Sequence, residues 1–352
     1  MRDFDLQGRV RAALGDRSRP RILAVGKCAS RMLAGAWDDS VRSALLVVPD
    51  GTELVYVPPR AEVVFSDHPE PTARSETAAR RALELAAKGP LVALVSGGTS
   101  ALLSQPAPGL SRKDKAKIVR ALSDAGRSVR EINLVRRHLS TIKGGGLARR
   151  AGGDVLTLVA SDIIDGAAYE VGSGPTLPDP TTLEEARALL AAHGLDAPLV
   201  ETLKMGEIRD RSIEGLVVAE PADLARAIIA RLETEGLEVH AMPPSVDDVV
   251  ELSKAYIGLA STLTRGQALV RAAEPVLRLP DARGRGGRST HLAALVASGL
   301  PDDVVFLAGA SDGVDGTSGT AGALVTKAAL KDYDVRGALA RFDTSLLHQT
   351  AG

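Results

Sequence analysis

The chain has 352 residues, with 43 Lys and Arg against 44 Asp and Glu, a formal charge of -1, 3% aromatic residues and one cysteine. That balance excludes a basic groove or stacking platforms for nucleic acid, and the lone Cys28 excludes an internal disulfide framework and a cysteine zinc site. Nowhere do about 18 apolar residues run together, and the charged N-terminal stretch lacks the apolar core of a secretory signal.

These features fit a cytoplasmic protein that acts on a small polar or anionic molecule, without nucleic acid or membrane as partner. The length predicts two domains. From the N-terminus, short apolar runs recur: RILAV (21–25), ALLVV (44–48), EVVF (62–65), LVALV (91–95) and DVLTLVA (154–160). Runs apolar on both faces predict strands of a parallel sheet covered by helices. Segments 72–88 and 111–126 carry apolar residues at helical spacing, the second opening on Ser111 as a cap and closing at Gly126. A further helix starts at Thr181-Thr182, with Glu184 and Glu185 in its first turn, and ends at Gly194. The βαβ rhythm predicts an open α/β fold. Residues 216–242 read strand, helix, strand, and Met242-Pro243-Pro244 then places a domain boundary near 243. Beyond it come a helix (247–264), a strand (276–279), a helix (289–299) and a strand (304–309), which predict a second, smaller α/β domain.

Ligands of open parallel sheets bind beyond the carboxyl ends of the strands. Gly26-Lys27-Cys28 follows the first run. A lysine in the first helical turn opposes the helix dipole, and a bound phosphate would relieve that, although an exposed turn lysine is the commoner case. Ser96-Gly97-Gly98-Thr99-Ser100 follows the fourth run and reads equally as an anion cradle or a tight strand-to-helix turn. Ser161-Asp162 leads to Gly172-Ser173-Gly174, while residues 131–148 pack Asn133, Arg136, Arg137, His138, Lys143 and three glycines together. Lys143 is the expected anion ligand of that stretch. Towards the C-terminus, Arg285-Gly286-Gly287-Arg288 and Ser311-Asp312-Gly313-Val314-Asp315-Gly316 combine backbone access, guanidinium charge and aspartates. Asp162, Asp312 and Asp315 are the expected oxygen ligands for Mg2+. The histidines lack zinc spacing, and Cys28 has no histidine nearby to activate it. A Walker A pattern is absent, and the Gly26-Lys27-Cys28 turn fails the G-x-G-x-x-G spacing, which disfavours hydride transfer from a nicotinamide.

GKCASRMLAGA, SGGTSALL, EINLVRRHLSTIKGGGLA, GSGPTLPDPTT, RGRGGR and SDGVDGTSGTAGALV occur in this order. Together they resemble motifs of the type II glycerate 2-kinase family across nearly the whole chain. The resemblance implies a Rossmann-like N-terminal domain (1–243), a smaller α/β MOFRL domain (244–352) and an active site in the interdomain cleft. It implies transfer of phosphate from ATP, with Mg2+, to the 2-hydroxyl of D-glycerate, by a monomer or homodimer. Lys27 and Arg288 fall where the family stabilises the transferring phosphoryl group, and Asp162 falls near the metal or the attacking hydroxyl. Ser96, Gly97, Gly98, Thr99, Ser100, Asn133, His138, Lys143, Ser173, Gly174, Glu274, Arg285, Gly287, Ser289 and His291 fall at positions expected to hold substrate or phosphate. Two departures stand out. Gly166 and Ala167 replace an acidic pair, and Ser289-Thr290-His291 replaces N-Q-E. They raise two alternatives, a kinase for another sugar acid or polyol and a catalytically silent nucleotide-binding relative. His68, set between prolines and charges, is expected to belong to a structural turn.

Overall fold

A computed structural model describes residues 4–280 and 283–351. The chain forms two compact units that divide between Glu220 and Pro221. Among the described residues no helix is long and apolar enough to cross a membrane.

The first unit comprises α1 (Leu6–Leu14), β1 (Arg21–Val25), α2 (Ala29–Ala36), β2 (Ser43–Pro49), β3 (Ala61–Ser66), α3 (Ala73–Ala86), β4 (Leu91–Ser96) and α4 (Thr99–Leu102), followed by α5 (Arg112–Asp124), α6 (Val129–His138), α7 (Gly146–Arg150), β5 (Val155–Ala160), α8 (Leu183–Ala191) and β6 (Ile213–Ala219). Its six strands are all parallel, in the order β3-β2-β1-β4-β5-β6. This is the doubly wound order whose chain reversal, between β1 and β4, opens a crevice at the carboxyl edge. β4 and β5 are buried along their full length, which explains their uninterrupted apolar runs. On β1, β2 and β3, α3 lays a face of small residues, Ala78, Ala79 and Ala82, which lets the helix approach Leu23 and Val47 closely. A separate cluster joins α5, α6 and α8 through Ile118, Leu122, Ile132, Val135 and Leu190. The helix starts follow their caps: Ser111 accepts from Asp114 N–H at 3.1 Å, and Ser128 with Glu131 forms a reciprocal capping box.

The second unit contains α9 (Pro221–Thr234), β7 (Glu238–Ala241), α10 (Val249–Ala260), β8 (Gln267–Val270), α11 (Arg288–Ala297), β9 (Phe306–Gly309), β10 (Gly322–Val325), α12 (Val335–Ala340) and α13 (Thr344–Ala351). β7 and β8 pair in parallel, and β9 and β10 antiparallel. The centre of its core is α11, which buries Leu292, Ala293, Ala294, Val296 and Ala297 against α10, β9 and α13.

The division falls at Glu220 and not near 243, because β6 completes the six-stranded sheet while α9 and β7 pack with β8. The expected strand at 276–279 is absent. Only a single bridge, Asp248 to Val276, forms there, and Val276 and Leu279 remain half-exposed. β8 and β10, four residues each, are too short to announce themselves by alternation.

Candidate active site

At the carboxyl edge of the first sheet, the turns after β1 and β4 are locked together. Lys27 N–H donates to the Gly97 carbonyl at 2.9 Å, and Cys28 N–H donates to Ser96 Oγ at 3.1 Å. Thr99 Oγ1 lies 2.7 Å from the Ser96 carbonyl and 3.0 Å from that of Val25. Ser96 and Thr99, both fully buried, therefore fix the turn. The two glycines between them are required by close approach. A Cβ on Gly97 would collide with the Asp162 carboxylate, and one on Gly98, whose φ is 87°, would stand 3.3 Å from both Lys27 Cγ and the His68 ring. Lys27, Asp162 and His68 thus converge on one glycine pair at the β1/β4 reversal, from three different strand ends. His68, expected in a structural turn, stands at this edge beside Gly98. The strand-end rule would have included it, since it lies two residues after β3.

Ser100 and Ser173 extend this edge. Their hydroxyl oxygens are 3.3 Å apart, and Ser173 holds a left-handed φ of 62°, a conformation that costs a non-glycine residue about 1–3 kcal/mol and recurs at functional sites. Gly145 N–H donates to the Gly174 carbonyl at 2.7 Å, which ties the triple-glycine turn to the Ser173 loop. Lys143 behaves differently from expectation. Its ammonium donates to Ser100 O at 2.8 Å, to Ser100 Oγ at 3.0 Å and to Leu103 O at 3.4 Å, so its N–H groups position Ser100. Burial, then the neighbouring Lys115 and Arg136, push its pKa well below the usual lysine range. His138 also departs from the expected ligand role. It is fully buried, with Nδ1 2.9 Å from the Val200 carbonyl and Nε2 3.4 Å from Thr181 Oγ1, and burial lowers its pKa. Beside it, Arg137 and Asp179 form a buried ion pair at 3.0 Å that anchors the Pro-Asp-Pro turn. Asn133 is half-buried and accepts from Arg136 Nη1 at 3.3 Å.

In the second unit, Arg288 is the first residue of α11, half-exposed and paired with Glu274 at 3.1 Å. Arg285 is exposed and donates to the Thr317 carbonyl at 3.3 Å. Asp315, expected as a metal ligand, is instead the cap of α11. Its two carboxylate oxygens accept from Ser289 N–H at 2.9 Å and Thr290 N–H at 2.8 Å, and it is buried. Gly287 is required by the same cap, because a side chain there would run into Asp315. His291 is buried, stacks on Phe342 with centroids 5.0 Å apart, and has its pKa lowered by burial. Its ring packs within its own unit. Thr290 is buried as well, which leaves the half-buried Ser289 as the one accessible member of that expected trio. Asp312 is exposed and accepts from Val314 N–H at 3.2 Å within its own turn.

Among the described residues no group of three or more His, Cys, Asp or Glu side chains is arranged to hold a metal ion. Mg2+ does not need one, since it commonly binds through one or two carboxylates plus substrate phosphates. The exposed Asp162, beside Gly97, fits that donor set. Asp315, with both oxygens spent on backbone N–H groups, does not.

A family model described as a domain of unknown function (DUF4147) matches residues 3–205, and the MOFRL family model matches residues 267–352. A glycerate 2-kinase from Sulfurisphaera tokodaii is 32% identical over 90% of this chain and 80% of its own length. The chain belongs to the glycerate 2-kinase family. A family fold is also seen in the crystal structure of glycerate kinase from Thermotoga maritima, which superposes with a TM-score of 0.84 at 26% identity, covering 100% of this chain and 91% of that one. A relative from Agrobacterium vitis, 34% identical over 88% of this chain and 76% of its own length, carries the name putative hydroxypyruvate reductase. The motifs after β1 and β4 meet at Gly98, and Asp162, just after β5, reaches Gly97.

Proposed function

We propose that this protein transfers the terminal phosphoryl group of ATP to the 2-hydroxyl of D-glycerate. The observation that carries the reading is the convergence of Lys27 and Asp162 on Gly97-Gly98, at the reversal point of a 3-2-1-4-5-6 sheet, in a chain of the glycerate 2-kinase family. Phosphoryl transfer asks mainly for positioning and for positive charge on the transferring group. Lys27 supplies an ammonium at a turn whose backbone is fixed by Ser96 and Thr99. Arg288, paired with Glu274 within its own unit, is the second cation that the family resemblance assigns to this charge. Asp162 would hold Mg2+, which neutralises phosphate charge when carried with ATP.

Reduction of hydroxypyruvate is the second reading, raised by the name of the Agrobacterium vitis relative. The turn after β1 speaks against it: Gly26-Lys27-Cys28 puts a lysine where a dinucleotide site needs glycine spacing for its pyrophosphate. A change of acceptor loses its main motivation, since Thr290 and His291 are buried. The test is ADP release from Mg-ATP across D-glycerate, larger sugar acids and polyols, beside nicotinamide oxidation with hydroxypyruvate, using Lys27→Ala as control. ADP release with D-glycerate that the variant loses supports the kinase. Nicotinamide oxidation without ADP release would replace it with the reductase.

A further inference from the structure

Helix α5 buries Lys115, Ile118 and Leu122 along one face. An ammonium therefore stands on the apolar stripe, where helical spacing calls for a hydrocarbon side chain. Lys115 is 8% exposed, and its Nζ has no hydrogen-bond partner. Nη1 of Arg112, on the same helix, is likewise buried without one, although its Nε pairs with Glu76 at 3.9 Å. Such groups are costly to bury unless something compensates them.

The surroundings add to the charge. Arg136 of α6 acts electrostatically on Lys115, and both act on Lys143 of the following loop, with no carboxylate among the groups that shift Lys115, Arg136 or Lys143. Burial and then Arg136 bring Lys115 down to about 7. Arg136 is only half-buried, so the cluster reaches solvent on that side. On the other side Lys143 holds both the carbonyl and the hydroxyl of Ser100, which connects the cluster to the loop after β4. An oxyanion answers these features together: it accepts from Lys115 and pairs with Arg136, beside the loop that Lys143 holds.

We propose that Lys115 and Arg136 form an anion subsite for a carboxylate or phosphate group of a small ligand. If the group is the carboxylate of the acceptor, the subsite rests on the kinase reading and explains how an acid is chosen over a polyol. If it is free inorganic phosphate, the subsite is independent of that reading.

The experiment is thermal unfolding and calorimetric titration of the full chain at constant ionic strength with D-glycerate, inorganic phosphate and, as uncharged control, glycerol. Wild type is expected to be stabilised by an oxyanion and not by glycerol. Lys115→Met, of similar volume and uncharged, is expected to unfold at a higher temperature without ligand and to bind the oxyanion about 10- to 100-fold more weakly, the worth of one charge-assisted hydrogen bond. Loss of the glycerate response identifies the acceptor carboxylate, and loss of the phosphate response alone identifies free phosphate. Arg136→Gln, at the half-buried side, is expected to weaken the same ligand and keeps the test open should Lys115→Met fold poorly. An oxyanion that binds both variants as it binds wild type, or that fails to stabilise wild type, overturns the proposal. Binding is read without turnover, so a protein that binds D-glycerate through Lys115 yet releases no ADP would refute the kinase and leave the subsite standing.

Discussion

Asp315 separates two accounts of the second unit, because a cap and a metal ligand fail in different ways. In Asp315→Ala the amides of Ser289 and Thr290 lose their acceptors at 2.9 and 2.8 Å. Loss of an N-cap costs about 1 kcal/mol and up to about 2. The carboxylate also faces the positive end of a ten-residue helix, which contributes about 0.3–1 kcal/mol. Thr290 is 1% exposed, so water does not reach its amide easily, and an orphaned buried donor costs about 1–3 kcal/mol. These contributions overlap, and the combined loss is about 2–4 kcal/mol. For a unit of this size each kcal/mol lowers the midpoint by roughly 3–5 °C, so the transition that reports the second unit should fall by about 6–20 °C. Asp315→Asn keeps one acceptor oxygen and should lose about half as much. The assay is thermal unfolding of both variants with and without Mg2+, next to the Mg2+ dependence of activity. Unchanged stability together with a raised Mg2+ requirement would refute the capping role and return Asp315 to the metal.

Other consequences follow from the same contacts. Lys27→Ala should lower kcat by about 100- to 1,000-fold, the usual scale for one charge-stabilising donor, with little change in unfolding temperature; a loss below tenfold would remove Lys27 from the transition state. Truncating Asp179 to Ala should cost about 3–5 kcal/mol by leaving Arg137 charged in a buried pocket, measured by urea unfolding, and a loss under about 1 kcal/mol would contradict that. His138, His291 and His348 all have pKa values lowered, mainly by burial, so the unfolded chain takes up their protons first as pH falls below about 6.5. Stability should therefore be full above that pH and decline between about 6.5 and 5, before most carboxylates titrate; a flat profile there would contradict the burial of these rings. For Lys115, depressed to about 7, oxyanion binding should restore the charge and take up a proton above that pH, seen as binding heats that vary with buffer ionisation enthalpy.

The fold was legible where burial is complete. β1, β2, β4 and β5 are apolar on both faces, and their sequence runs match the strands within a residue or two. It was less legible in the second unit, where four-residue strands gain their identity from a partner strand and not from their own pattern. The site was legible by location and less so by role. Lys27, Gly97, Gly98 and Asp162 were expected together and are found together. Ser96, Thr99, His138, His291 and Asp315, expected at ligands, are buried, which the motifs do not reveal because a motif records that a polar side chain is needed and not which way it points. Lys115 carried a sequence signal, a cation in register with Ile118 and Leu122, which helical periodicity alone would have flagged.

The most direct test of the central claim is the product itself. Phosphorus and proton NMR of a reaction of Mg-ATP with D-glycerate should show phosphate on the 2-oxygen, with one ADP formed per ester, and Lys27→Ala should show neither. Phosphate on the 3-oxygen would contradict the assigned acceptor position. Intact ATP beside wild-type protein that binds D-glycerate would contradict the assignment of this chain as a kinase.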